Sequence, residues 1–324
     1  MKKIAAVLVC MALLLTGLPQ TVLAEKASVG SVSREEGYTG LKTINGKKYY
    51  FKNGKKVTGM HKIGNYYYFF SGAAKGAMSG GWKLVKGHFR YFDKKTGRMA
   101  VNRTVNGRRI DKNGIWVPVV VLDPGHSSKV AGGYEPLGPG SGQMKAKDTS
   151  GTQGVATNVP EYKLNLTIAK KLKTVLQKRG YKVILTRTNN NVALSCRQRA
   201  EIANKAKADA FIRIHANGST YSSANGAMTI CTTKNSPYMP SLYTKSKALS
   251  TQLLNAYVKA TGCKKEYVWE TDSMSGNNWS KVPTTIIEMG YMSNPAEDRK
   301  MQNASYQKRM VQGIANGIDQ YIIS

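Results

Sequence analysis

Val119-Val120-Val121-Leu122-Asp123-Pro124-Gly125-His126 sets four aliphatic residues ahead of a tight turn that ends in an imidazole. A short apolar run bounded by Pro and Gly reads as a fully buried strand, the kind found in parallel sheets. Downstream, strand and helix patterns alternate. From Glu161, Leu164, Ile168, Leu172 and Leu176 recur at helical spacing until Gly180 stops the helix. Residues 181–186 read as a strand, 199–208 as a helix, and 210–216 and 227–231 as strands. A long helical period covers 242–260, a strand 284–288, and a closing helix 306–322. This alternation predicts an α/β domain over 117–324, a mostly parallel twisted sheet with helices on both faces.

Upstream the texture changes to aromatic repeats. Ile44-Asn45-Gly46 precedes Tyr49-Tyr50-Phe51, and Ile63-Gly64-Asn65 precedes Tyr66 to Phe70. Val85-Lys86-Gly87 precedes Phe89 and Tyr91-Phe92, and Val105-Asn106-Gly107 precedes Ile110, at intervals of 19–22 residues. Asn53-Gly54 and Asn113-Gly114 suit tight two-residue turns. Residues 37–116 are therefore expected to form a solenoid of β-hairpins that bury one another's aromatic faces. Rings left at the surface would give platforms for sugars or cationic head groups. Tyr66, Tyr68, Trp82 and Tyr91 are the candidates, with packing between hairpins as the competing role for each.

Charge limits the partners. The 324 residues hold 49 Lys+Arg against 18 Asp+Glu, a formal net charge of +31. Nucleic acid, anionic lipid and anionic polymer all fit that charge. Lys2-Lys3, the apolar run 4–15 and Val22-Leu23-Ala24 read as a secretory leader over 1–24, cleaved after Ala24. The run is short of the ~20 residues that span a bilayer, which disfavours an uncleaved anchor. Export argues against nucleic acid and leaves no transmembrane segment after cleavage. Residues 25–36 read as a linker. Three cysteines remain, Cys196, Cys231 and Cys263, an odd number without close pairs, so no disulfide framework is expected.

In sheets of this kind ligands bind beyond the carboxyl ends of strands. His126 follows the first strand, His215 lies near the end of Phe211-Ile212-Arg213-Ile214, and Glu288 closes Thr284-Thr285-Ile286-Ile287. Glu161 opens the first long helix, where its carboxylate complements the helix dipole. A lone His at a strand end is commonly a structural residue, and a lone Glu at a helix start an ordinary acid. Glu288 is harder to dismiss, because ionised Glu is rarely buried without a partner. Two His and one carboxylate make a three-ligand zinc site with a position open to water, and a second carboxylate can accept that water's proton.

Residues 119–324 resemble the zinc-dependent N-acetylmuramoyl-L-alanine amidases that include bacterial autolysins and spore-cortex amidases. The likeness rests on 121–126, Glu161 at its helix head, Thr186-Arg187-Thr188, Arg199-Ala200, Ala203-Asn204 and Ile214-His215-Ala216-Asn217. Its longest part runs from Asn278-Trp279 through Pro283 to Ile287-Glu288-Met289-Gly290-Tyr291-Met292-Ser293-Asn294. The resemblance implies His126, Glu161 and His215 as zinc ligands and Glu288 as the catalytic carboxylate. Asn217 and Arg199 are candidates for substrate contact. The stretch 127–160 is longer than the family's usual connection, is expected to wall the substrate groove, and contains Glu135 as a rival to Glu161. Residues 37–116 are similar to the choline-binding-like repeats of Gram-positive surface proteins. Only Trp82 holds the repeat's usual Trp place, with Leu41, Met60 and Arg103 at the matching positions, so some other wall polymer is expected.

The expectation is a secreted, cell-wall-associated peptidoglycan hydrolase of a Gram-positive-type envelope. It cleaves between N-acetylmuramic acid and L-alanine with zinc-activated water, and its basic repeats hold an anionic wall polymer. Two alternatives stand beside it: another zinc-dependent peptidoglycan hydrolase, a peptidase or deacetylase, and a wall-binding protein with an inert hydrolase domain.

Overall fold

The computed structural model describes residues 37–324, so the expected leader and linker lie outside the described residues. The hairpin region opens with β1 (Gly40–Ile44), β2 (Lys47–Lys52), β3 (Lys55–Lys56), β4 (Gly59–Ile63), β5 (Tyr66–Ser71) and β6 (Ala77–Met78). These form one antiparallel sheet in the order β1-β2-β6-β5-β4, with β3 on β2. Asn45-Gly46 and Asn53-Gly54 both turn with positive φ at the two central residues, which matches the twist of the flanking strands. Two further hairpins follow, β7 (Gly81–Val85) with β8 (His88–Phe92), and β9 (Thr104–Val105) with β10 (Arg108–Arg109).

The hairpins are not a uniform stack. Phe51 and Phe70 are buried within the first sheet, and Phe69 meets Phe92 at 5.7 Å to link it to the next hairpin. The β7–β8 hairpin instead joins the large core downstream, where Trp82, Phe89 and Trp116 cluster with Val120 and Tyr181. Trp82 is only 5% exposed, so this ring is a packing residue rather than an exposed wall platform. Trp116 lies 4.8 Å and Tyr91 5.3 Å from it, centroid to centroid. The Arg108 guanidinium stacks over Trp116 at 4.3 Å and over Trp82 at 5.3 Å, and it donates to the Ile322 carbonyl at 3.0 Å. Tyr66 remains 44% exposed, whereas Tyr68 is half-buried.

The second region runs β11 (Val119–Pro124), β12 (Tyr134–Pro136), β13 (Met144–Ala146), α1 (Glu161–Lys178), β14 (Lys182–Leu185), α2 (Cys196–Lys205) and β15 (Ala210–Asn217). It continues with β16 (Ala227–Cys231), α3 (Tyr243–Thr261), β17 (Lys265–Glu270), α4 (Ser275–Asn278), β18 (Thr284–Tyr291), α5 (Pro295–Gln302) and α6 (Ala304–Ile323). The six-stranded sheet has the order β14-β11-β15-β18-β16-β17. Its first four strands are parallel, and β16 and β17 run the other way. Helices α1, α3 and α6 cover one face, where Leu164, Leu172, Leu253, Tyr257, Ile314 and Ile318 pack under Val120, Leu122, Ile212 and Ile287. Helix α2 covers the other with Ala200 and Ala203 on Val121 and Phe211. The expected α/β class with helices on both faces is present.

Two local differences have clear causes. Helix α2 starts at Cys196, three residues before the expected Arg199, because Ser195 caps it: its hydroxyl accepts from the Gln198 amide and the Gln198 side chain accepts from the Ser195 amide. The segment 127–160 is not structureless, since β12 and β13 pair within it. Among the described residues no helix is long and apolar enough to cross a membrane.

Arg108→Ala removes both ring contacts and the bond to Ile322, which joins the hairpins to the last helix. An expected loss of about 1–2 kcal/mol in urea-unfolding free energy checks that this cation fastens the two regions.

Candidate active site

Four chain segments converge near the carboxyl ends of the parallel strands. His126 sits in the turn after β11 with φ of 60°, an uncommon conformation for a residue with a side chain. Arg187 holds that turn by donating to the carbonyls of Pro124, Gly125 and Tyr162. Glu161 begins α1, and His215 and Glu288 face each other as a register pair between β15 and β18. One ligand atom each from His126, Glu161 and His215 lies within 4.8 Å of the others. Glu288 lines the same cavity of about 270 Å³, as do His126 and His215.

Each group is positioned by neighbours. Glu161 accepts from the amides of Thr152 (3.0 Å) and Ala216 (3.2 Å) and from the Asn165 side chain (3.0 Å). Its two oxygens lie 3.3 Å from His126 Nε2 and 3.1 Å from His215 Nδ1. His126 Nδ1 bonds the Thr149 carbonyl at 2.8 Å and faces Asp148 at 3.6 Å, which leaves Nε2 for the centre of the cluster. Two glycines are required by close approach. A Cβ on Gly125 would sit 2.1 Å from the His215 ring, and one on Gly151 would sit 2.6 Å from Glu161 Oε2.

Electrostatics separates the two acids. Burial opposes ionisation of Glu161, yet His215, His126 and the Thr152 amide outweigh it and keep this carboxyl below its ordinary pKa. Glu288 lacks such donors, so burial and the Glu161 charge raise its pKa. His215 is pushed down by burial, toward the neutral imidazole that binds metals. Two buried atoms, His215 Nε2 and Glu288 Oε2, have no hydrogen-bond partner. Two ligands at ~2.05 Å from a tetrahedral zinc lie roughly 3.3 Å apart, a spacing of the size found between His126 Nε2 and Glu161 Oε2. The donor set therefore fits a divalent cation.

Residues 120–320 match the N-acetylmuramoyl-L-alanine amidase family. The chain belongs to that family. Residues 57–103 match the choline-binding repeat. The chain is 27% identical over 212 residues to the N-acetylmuramoyl-L-alanine amidase LytC of Bacillus subtilis, an alignment covering 65% of this chain and 36% of LytC. It thus spans little more than a third of that relative. The catalytic domain of CwlV, an amidase from Bacillus (Paenibacillus) polymyxa var. colistinus, superposes with a TM-score of 0.52 at 28% identity, covering 64% of this chain and all of that one. Ami1 of Mycobacterium smegmatis shares the fold with a TM-score of 0.57 at 22% identity, over 63% of this chain and 96% of Ami1.

Around this cluster the structure separates the sequence candidates. Glu135 stands apart from the cluster and accepts from the Arg197 amide at 2.9 Å, so Glu161 alone fills the third position. Arg199, a candidate for substrate contact, lines the cavity, is 1% exposed and is paired with Asp123 (2.9 Å) and Asp148 (3.4 Å). Asn217 Oδ1 accepts from the Gly218 amide and its Nδ2 lies against Met228 Sδ at 3.5 Å, outside the cavity lining. Sequence reasoning missed Asp148, Arg213 and Lys145. All three line the cavity, and Lys145 reaches it from β13 while donating to the Ser273 carbonyl. Their signal was only a charged residue in a Gly-rich segment or inside a strand.

Asp123 anchors the set. Burial alone would raise its pKa, but Arg199, Arg213 at 3.1 Å and the Thr186 hydroxyl at 2.6 Å hold it well below the carboxylate range. With the folded value the lower, this stabilisation is complete above the unfolded pKa of about 4 and is lost as pH falls toward the folded one. Asp123→Asn should cost about 3–5 kcal/mol at neutral pH by leaving buried guanidinium groups without a counter-charge. Urea unfolding at several pH values should show the gap from wild type narrowing below pH ~4.

Proposed function

We propose that the protein hydrolyses the amide between the lactyl group of N-acetylmuramic acid and the L-alanine of the stem peptide. The supporting observation is the convergence of His126, Glu161 and His215 with Glu288 in one cavity of an amidase-family chain. A zinc ion held by those three side chains would polarise the scissile carbonyl and make water acidic enough to deprotonate near neutral pH. Glu288 takes the proton from the attacking water and returns it to the departing α-amine of L-alanine. Its raised pKa makes the carboxylate a stronger base for the first step, and the carboxyl so formed is the proton donor for the second. Asp148 and the Thr149 carbonyl fix the tautomer of His126, so that Nε2 carries the free lone pair. No nucleophilic side chain is needed, and Cys231 and Cys263 are buried away from the cavity.

The wider reading is a secreted enzyme held at a Gram-positive-type wall. Residues 37–116 hold 18 Lys+Arg against 2 Asp+Glu, an arrangement suited to an anionic wall polymer. Tyr66 is the ring best exposed for it among the four candidates. Because β7–β10 share a core with the amidase region, the separable wall-binding part is β1–β6 rather than the whole of 37–116.

Glu288→Gln should lower kcat on purified peptidoglycan by about 10²–10⁴-fold while the melting temperature holds. Mass spectrometry of the wild-type digest should reveal new amino-terminal L-alanine with intact muramic acid; released D-alanine or acetate would overturn the proposal. His215→Ala should bind less than one equivalent of zinc by atomic absorption. Removing residues 37–80 should let the protein elute from isolated walls at lower salt and leave cleavage of a small soluble muropeptide at the wild-type level.

A further inference from the structure

Strand β17 forms the edge of the six-stranded sheet, and its outward side chains are aromatic. Tyr267 is 56% exposed and Trp269 is 40% exposed, while Val268 between them packs on the helical core. The register fixes which way the rings face. Ile230 of β16 pairs with Trp269 on one side and with Ile286 of β18 on the other. Residues paired across neighbouring strands share a face, and side chains alternate along each strand. Trp269 therefore shares a face with Ile286 and Glu288, and Tyr267, exposed like Trp269, lies two residues before it where the β16–β17 register shifts. Ile286 and Glu288 line the catalytic cavity. Met228, the register partner of Glu288, occupies the strand between. Two strand spacings of ~4.8 Å place Trp269 about 10 Å across the sheet from Ile286, two residues from Glu288.

The proposed chemistry uses neither ring, and neither completes the core. Exposed aromatics on an edge strand invite unwanted pairing, which makes them costly surface unless they bind something. The two acids of the strand are already engaged. Glu270 pairs with Lys247 at 2.6 Å, and Glu266 accepts from the Tyr291 hydroxyl at 2.9 Å. What the patch offers is flat apolar ring surface with a polar edge. That surface complements the C–H face of a pyranose, whose hydroxyl and acetamido groups stay in water.

The geometry of the amidase substrate points the same way. The lactyl group is covalently attached to the muramic acid ring, so a scissile amide at Glu288 brings its glycan strand over the adjoining sheet surface. We propose that Tyr267 and Trp269 form a glycan subsite that stacks N-acetylhexosamine residues neighbouring the one whose peptide is removed. This rests on the amidase reading and adds where the polymer runs.

Binding and kinetics test it together. The Glu288→Gln protein, with and without Tyr267→Ala and Trp269→Ala, is titrated calorimetrically with soluble oligomers of N-acetylglucosamine, which lack both peptide and scissile amide. The paired ring truncation is expected to weaken binding about tenfold. With Glu288 intact, the same truncation should lower the ratio of kcat/KM for long-chain peptidoglycan over a single-sugar muramoyl dipeptide, and Tyr267→Phe with Trp269→Phe should restore it. An unchanged ratio, unchanged sugar affinity, or weaker binding of sugar-free stem peptide overturns the subsite. A wild-type protein that binds the oligomers in a ring-dependent way yet cleaves neither substrate would instead overturn the amidase reading alone.

Discussion

A single carboxylate with no exposure to water organises the active end of the sheet. Asp123 closes β11 between Arg199 from α2 and Arg213 from β15, and Thr186 beyond β14 donates to it as well. Arg199 then reaches Asp148, and Asp148 faces the ring nitrogen of His126 that points away from the cluster. Four separate segments are thus tied through alternating charges before any metal ligand is considered. A buried ion pair of this kind contributes little as net stability compared with apolar packing. Its worth lies in geometry, because each partner is fixed by a charge that has nowhere else to go. Preorganisation of this sort holds His126, Glu161 and His215 in a spacing that fits a divalent cation.

Much of this arrangement was legible in the sequence, for definable reasons. A run such as 119–122 has one physical destiny, a strand buried on both faces, and polar residues at three strand ends are conspicuous against it. Register then brings His215 beside Glu288, a pairing that follows once both strands are placed. Strand β17 was missed because its outer face is solvent-exposed and its ends are charged, so Lys265 to Glu270 looks like loop or helix surface. The support residues were illegible for a different reason. Arg199 resembles a substrate-binding cation on paper, and only the positions of Asp123 and Asp148 show that its charge is already paired.

The long connection after His126 shows how irregular sequence becomes rigid structure. Its hairpin is fastened from outside: Trp279 donates to the Pro136 carbonyl at 2.8 Å, and Asn278 donates to Leu137 at 3.0 Å. Further along, Asp298 accepts from the amides of Ala156 and Thr157 at 2.9 and 2.8 Å. Gly, Ser and Thr in this stretch are therefore not marks of mobility. They let the backbone pass close to the ligands, as at Gly151, where any side chain would strike Glu161.

The hairpins follow the same logic of self-satisfied charge. An aromatic pair such as Trp82 and Trp116 could hold a cation from solution, but Arg108 already lies over both rings. The guanidinium of the chain takes the place that a ligand head group would need, and its bond to Ile322 directs it toward the amidase region. Aromatic content in a repeat is therefore a poor guide to ligand binding by itself. What decides is whether a ring's face is filled from within, and by that measure Trp82 belongs to the core, Tyr66 carries the Arg98 guanidinium over its ring at 3.9 Å, and the two rings of β17 face solvent.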